Sequence, residues 1–103
     1  MIKNGMRPIH PGEILREEYL EPLGMTPHAL AKGLNLPASR VNDIVLERRG
    51  ITPETALRLA RFFRTTAEFW LSLQQTYSLK VAEREVLDQV IEEVQPLDIK
   101  HAA

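Results

Sequence analysis

The chain has 103 residues, 44% hydrophobic and 26% charged, with no cysteine and a formal net charge of −1. That length suits one domain with one modest core, and the lack of cysteine excludes disulfides and thiolate metal sites. No apolar run nears the roughly 20 residues of a membrane span, no apolar signal follows Lys3 and Arg7, and the slight acidity argues against non-specific coating of nucleic acid.

Residues 1–9 read as a flexible arm. His10-Pro11-Gly12-Glu13 then opens a helix: proline fits an early helical position, Glu13 complements the helix dipole, and Ile14, Leu15, Tyr19 and Leu23 supply apolar contacts. Pro22 and Gly24 end it. His10 is read as a helix-start residue, since no partner stands at metal-ligand spacing.

The stretch from Thr26 to Val45 reads as two short helices joined by a tight turn. Thr26 is an N-cap, Pro27 takes the first helical position, and Ala29, Leu30, Gly33 and Leu34 form one face. Asn35 turns the chain and Pro37 starts the next helix, in which Val41, Ile44 and Val45 share an inner face and Ser39, Asn42 and Asp43 an outer one. This is helix-turn-helix geometry, whose second helix fits a DNA major groove. The basic loop Leu46-Glu47-Arg48-Arg49-Gly50 follows, with Gly50 suited to a left-handed conformation. Leu46 falls on the polar side, so either the helix has ended and Leu46 folds under, the commoner outcome, or it is an exposed apolar contact.

Thr52-Pro53 starts a fourth helix with Ala56, Leu59, Ala60 and Phe63 on its inner face, and Glu54, Arg58 and Arg61 on the other. Thr65-Thr66-Ala67-Glu68 matches a capping box that opens a fifth, carrying Phe69, Trp70, Leu73 and Tyr77. Those aromatics are core or dimer interface, and the interface is placed here because surplus apolar surface remains once four helices are packed. Leu87, Val90, Ile91 and Val94 then mark an additional amphipathic helix over residues 81–95, stopped by Pro96, with a frayed tail over 96–103. It closes the core, pairs with a second subunit or meets a basic partner; the residues leave all three open. The fold class is all-α, with the helix-turn-helix domain spanning residues 10–80.

Charge is unevenly placed. Residues 32–64 carry seven basic groups against three acidic, whereas residues 65–103 carry three basic against seven acidic. Positive charge thus gathers where phosphates would lie. Candidate phosphate contacts are Thr26, with the N–H groups that open its helix, His28, Lys32, Arg48 and Arg49. Candidate base readers are Ala38, Ser39, Arg40, Asn42 and Asp43: arginine fits guanine O6 and N7, asparagine fits adenine N6 and N7, and alanine meets a thymine methyl. Asp43 is equally suited to holding Arg40 in place. One such helix discriminates too little, so a dimer on a palindromic duplex is expected, its recognition helices roughly 34 Å apart.

Five blocks in order, His10-Pro11-Gly12-Glu13-Ile14-Leu15, Leu23-Gly24-Met25-Thr26, Leu36 to Ile44, Ile51 to Ala60 and Glu68 to Gln74, resemble the HigA antitoxin family. This is a branch of the Xre/Cro/C1-type helix-turn-helix proteins also labelled virulence-associated protein I. The resemblance covers residues 8–80 and implies a five-helix, lambda-repressor-like DNA-binding domain, a homodimer, and a bacterial cytoplasmic role. It also implies repression of its own operon and neutralisation of a HigB-type, RelE-like mRNA-cleaving toxin. Arg64 departs from the family pattern, standing where many relatives have a small residue, often glycine, and the segment after Lys80 matches no motif of the family.

No metal-binding histidine pair, glycine-rich phosphate loop or nucleophile elbow is present, so the chain is expected not to be an enzyme and to need no cofactor or small-molecule substrate. Two rivals remain: a stand-alone helix-turn-helix regulator without a toxin, and an interaction module that sequesters a partner without binding DNA. Arg40, Asn42, Arg48 and Arg49 together argue against the second.

Overall fold

The computed structural model describes residues 7–99, which form five helices and no strand: α1 over residues 11–23, α2 (Pro27–Leu34), α3 (Ala38–Val45), α4 (Pro53–Phe63) and α5 (Ala67–Glu93). Threonine hydroxyls start three of them. Thr26 accepts from the Ala29 N–H at 3.0 Å, Thr52 from Thr55 at 3.3 Å and Thr66 from Phe69 at 3.0 Å, each satisfying one donor that a helix start leaves unpaired. The α5 cap lies one residue later than the predicted box, because the Thr65 hydroxyl instead accepts the Trp70 indole N–H at 2.8 Å.

In α1, His10 is the N-cap and its Nδ1 accepts the Gly12 N–H at 2.8 Å. From Leu15 to Leu20 the helix widens, and the Glu21 N–H bonds the Arg16 carbonyl five residues back. A wider turn suits the approach to Pro22, whose ring would crowd the carbonyl four residues before it. The widening resets the helical phase. Leu15 and Leu20 are therefore the buried pair, and Leu23, predicted to be an apolar contact, is 61% exposed. In α2 the buried residues are Leu30, Ala31 and Leu34, whereas Ala29 and Gly33 lie exposed, so the inner face is rotated by one position from the expected one.

Asn35, in the left-handed conformation, closes α2, and the Leu36 N–H returns to the Ala31 carbonyl at 3.0 Å. Residues 35–37 complete the turn, and α3 then buries Val41, Ile44 and Val45 as predicted. Its end differs. Glu47, not Gly50, takes the left-handed conformation, with φ 63°, and Leu46 remains 51% exposed instead of folding under. Gly50 is needed for a different reason: the Gln74 carboxamide of α5 lies 2.7 Å from where a Cβ would be, as its Oε1 accepts the Ile51 N–H at 2.7 Å.

The core joins Leu15 and Leu20 of α1, Leu30 and Leu34 of α2, Val41 and Ile44 of α3, Ala56 and Leu59 of α4, and Trp70 of α5. Tyr19 and Phe63 stack against the Trp70 ring, with centroids at 5.0 and 6.1 Å. Arg64 ends α4 in the left-handed conformation with φ 60°, a strain of about 1 kcal/mol that a glycine there would avoid.

The expected separate helix over 81–95 is helical but is the continuation of α5. Ser78-Leu79-Lys80-Val81-Ala82 contains no glycine or proline to interrupt it, and Pro96 disfavours helix just before itself, so α5 stops at Glu93. Beyond Val81 every described residue is exposed, and the long axis of the molecule reaches 57 Å against 30 and 26 Å across. The predicted arm over 1–9 lies outside the described residues up to residue 6; Arg7, within it, is fixed by donating to both Glu13 carboxylate oxygens at 2.8 and 3.0 Å. Of the expected frayed tail, residues 100–103 lie outside the described residues and 96–98 carry no helix.

Candidate nucleic-acid interface

Because the turn between them is short, α2 and α3 present their N-terminal ends side by side. Thr26, Pro27 and His28 from α2 and Ala38, Ser39 and Asn42 from α3 line one shallow concavity of ≈ 330 Å³. No acidic side chain lines it. Two phosphate candidates and three base-reading candidates are thus brought to one surface. Thr26 already caps α2 with its hydroxyl, and His28 lies exposed two residues on.

A second concavity of ≈ 370 Å³ joins Arg40 and Arg49 to Thr52, Pro53, Glu54 and Thr55 at the start of α4, so this one, unlike the first, includes a carboxylate. This placement sets Arg40 apart from Ala38, Ser39 and Asn42. It also brings in Thr52, read from sequence only as a helix cap; the Thr-Pro start shared with α2 was the available signal. Lys32, exposed in the last turn of α2, lines neither concavity. Lys32 and Arg40 form no ion pair among the described residues.

Asp43 does not hold Arg40. Its carboxylate instead faces Arg48 at 3.5 Å and Arg49 at 4.0 Å, because the left-handed turn at Glu47 folds the basic loop back along α3. That turn is held from α1. Arg16 donates to the Val45 carbonyl at 2.6 Å and lies 3.2 Å from the Glu47 carboxylate, closing the C-terminal end of α3. Arg16 thereby orients the recognition helix, a role invisible in sequence because Val45 and Glu47 lie 29 and 31 positions away. Gln74 is the second such residue, pinning the loop ahead of α4 through Ile51.

Of the four side chains assigned to a dimer interface, Trp70 is corrected. It is 0% exposed within one chain, filling the centre of the core, and has no surface to offer a partner. Phe69 is 36% exposed, Leu73 lines an apolar cleft with Ile9 and Ile14, and Tyr77 packs its ring against the edge of His10 at 4.8 Å. Burial holds the His10 imidazole below its ordinary pKa; the Glu47 carboxylate opposes this, and Arg16 adds a weaker lowering effect. No group of metal-binding side chains occurs among the described residues, and no helix among them is long and apolar enough to cross a membrane.

Comparison with known proteins agrees with this geometry. The helix-turn-helix family profile matches residues 17–70. Virulence-associated protein I of Dichelobacter nodosus is 59% identical over 83 residues, which cover 81% of this chain and 77% of that protein. A Pseudomonas aeruginosa protein solved with 18 bp of its operator DNA is 51% identical, with a TM-score of 0.87 over 91% of this chain and 99% of its own. The Pseudomonas aeruginosa antitoxin HigA, solved with the higBA promoter, is 50% identical, with a TM-score of 0.87 over 88% of this chain and 99% of its own. The fold, the paired ends of α2 and α3, and these likenesses together show that the chain belongs to the helix-turn-helix family, in the branch of the virulence-associated protein I and HigA antitoxin proteins.

Proposed function

We propose that this protein is a sequence-specific repressor that binds a palindromic operator as a homodimer, in the cytoplasm of a bacterium. The observation that carries the reading is the joint surface of Thr26, His28, Ala38, Ser39 and Asn42, free of acidic side chains and flanked by Arg40 and Arg49. Relatives of about half-identical sequence are seen on operator DNA, which supports it. Asn42 and Ser39 read base edges, Ala38 meets a thymine methyl, and His28, Thr26 and Lys32 fix the register on phosphates. Arg40 is shared between guanine and phosphate, while Arg48 and Arg49 supply phosphate charge from the loop.

The operon it represses is its own, and its second role is that of an antitoxin, holding a RelE-like mRNA-cleaving toxin of the HigB type inactive. The branch in which it falls supports this role. Co-purification with the product of the neighbouring reading frame, and loss of that product's ribonuclease activity in the complex, tests the antitoxin role. A free, fully active ribonuclease would leave the repressor reading alone.

The DNA reading is tested by titrating the protein against its own upstream duplex and a scrambled duplex of equal length, at two salt concentrations. A preference of about 10³-fold or more, with one dimer per palindrome, is expected. Equal, weak and salt-sensitive binding to both would overturn it.

A further inference from the structure

Leu46 takes no part in the core and has no role in the DNA reading above, yet it stands in the middle of the outward face of α3. At about 100° of turn per residue, it lies within about 20° of Ser39, between Asn42 and Asp43, and opposite the buried Val41, Ile44 and Val45. Its N–H still bonds the Asn42 carbonyl at 2.9 Å, so the side chain keeps that helical phase although the helix ends there. A single exposed leucine is ordinary on a protein surface. What sets this one apart is its neighbours, since Ser39, Asn42 and Asp43 around it all carry hydrogen-bonding groups.

The leucine is also held rigidly. The chain leaves the helix directly after it: the Glu47 N–H bonds the Ile44 carbonyl at 2.9 Å and the Arg48 N–H bonds the Asp43 carbonyl at 2.7 Å, the paired closure made by a left-handed residue just past a helix end. Arg48 and Asp43 add an ion pair at 3.5 Å across the same turn, and Arg16 donates to the carbonyl of the preceding Val45 at 2.6 Å. An apolar anchor fixed in this way loses little freedom when a ligand covers it.

The major groove presents hydrogen-bonding base edges and one kind of apolar group, the C5-methyl of thymine. A protein partner that covered Leu46 would also cover Ser39 and Asn42 and so exclude DNA. We infer that Leu46 is a specificity-determining residue that packs on a thymine methyl in each operator half-site. It stands seven residues after Ser39, about 10 Å along the helix axis, which is roughly three base pairs. The thymine it meets is therefore a different one from that which meets Ala38. This rests on the DNA reading, so the test separates the two.

Deoxyuridine keeps the pairing and the hydrogen-bonding edge of thymine and lacks only the methyl. In the upstream duplex each thymine of the palindrome is replaced in turn by deoxyuridine, in both half-sites at once, and titrated with the native chain, Leu46→Ala and Leu46→Met, with circular dichroism on each variant. The native chain is expected to lose about 10-fold in affinity at one such thymine pair, the scale of one buried methyl per half-site. Leu46→Ala should bind the unsubstituted operator about 10-fold more weakly and respond to uridine at that pair by less than about 2-fold. Leu46→Met keeps an apolar contact and should still lose affinity on uridine substitution there. Equal uridine sensitivity in Leu46→Ala and the native chain, no sensitive thymine on an operator that the native chain prefers, or an equal loss by Leu46→Ala on a scrambled duplex would overturn the inference and leave the DNA reading standing. No preference of the native chain for the operator over the scrambled duplex would overturn both.

Discussion

Asp43 stands among base-reading candidates yet faces two arginines, and this decides what the residue does before DNA arrives. Both pairs are partly exposed, so each is worth little to stability, but they offset the charge that Arg48 and Arg49 would offer to any phosphate. Asp43→Asn is expected to strengthen binding to scrambled DNA several-fold and so to lower the specificity ratio, measured by the same duplex titration. Arg49→Ala should weaken all sequences alike and reduce the salt slope by about one ion, whereas Asn42→Ala should cost about 1–3 kcal/mol on the operator alone. His10 sets a pH dependence of stability. Its imidazole accepts the Gly12 N–H and can do so only when neutral, and its pKa is lowered in the fold. Its contribution is therefore complete above the ordinary imidazole value and is lost as the pH falls from there through the folded value. Urea unfolding at about pH 7.5 and 5.5 should show this loss in the native chain, and a smaller one in His10→Asn, which caps without titrating.

At the scale of elements, the recognition helix is positioned by its neighbours more than by its own eight residues. Arg16 closes its end from α1, and Gln74 holds the following loop from α5. Arg16→Met keeps the apolar stem but removes both bonds, so a loss of about 1–2 kcal/mol is expected in thermal unfolding, with weaker operator binding as the end of α3 loosens. Trp70 joins α5 to the rest. Its replacement by alanine removes a fully buried ring and is expected to cost about 3–5 kcal/mol, much of the stability of a domain this size, so that circular dichroism should report a largely unfolded chain at 37 °C. Such a result would confirm that this tryptophan serves the core and not a partner.

For the whole molecule, charge is divided between its two ends. The end carrying α3 is basic, and the distal half of α5 is acidic and stands clear of the body. A homodimer with two-fold symmetry should place its recognition helices roughly one turn of DNA apart, about 34 Å. Inserting about 5 bp between the operator half-sites turns one half-site to the opposite face of the duplex, so binding by a single dimer should be lost while each half-site keeps its weak affinity. Retention of full affinity by the lengthened operator would show that the two helices do not read the duplex as a rigid pair.

The sequence by itself determined the number of helices through residue 80, the three threonine-started helices, the turn at Asn35, and the inner face of α3. These follow from interactions within a few residues, which local spacing encodes. The resemblance carried in five short blocks determined the family. Tertiary structure alone decided that Leu20 replaces Leu23 in the core, since the widened turn before Pro22 shifts the phase of α1. It alone placed Trp70 inside, exposed Leu46, turned Asp43 toward the loop arginines, and assigned Arg16 to the end of α3. Each of these depends on groups brought together from distant positions or on how much surface the other helices cover, and neither quantity is written in the spacing of any one segment.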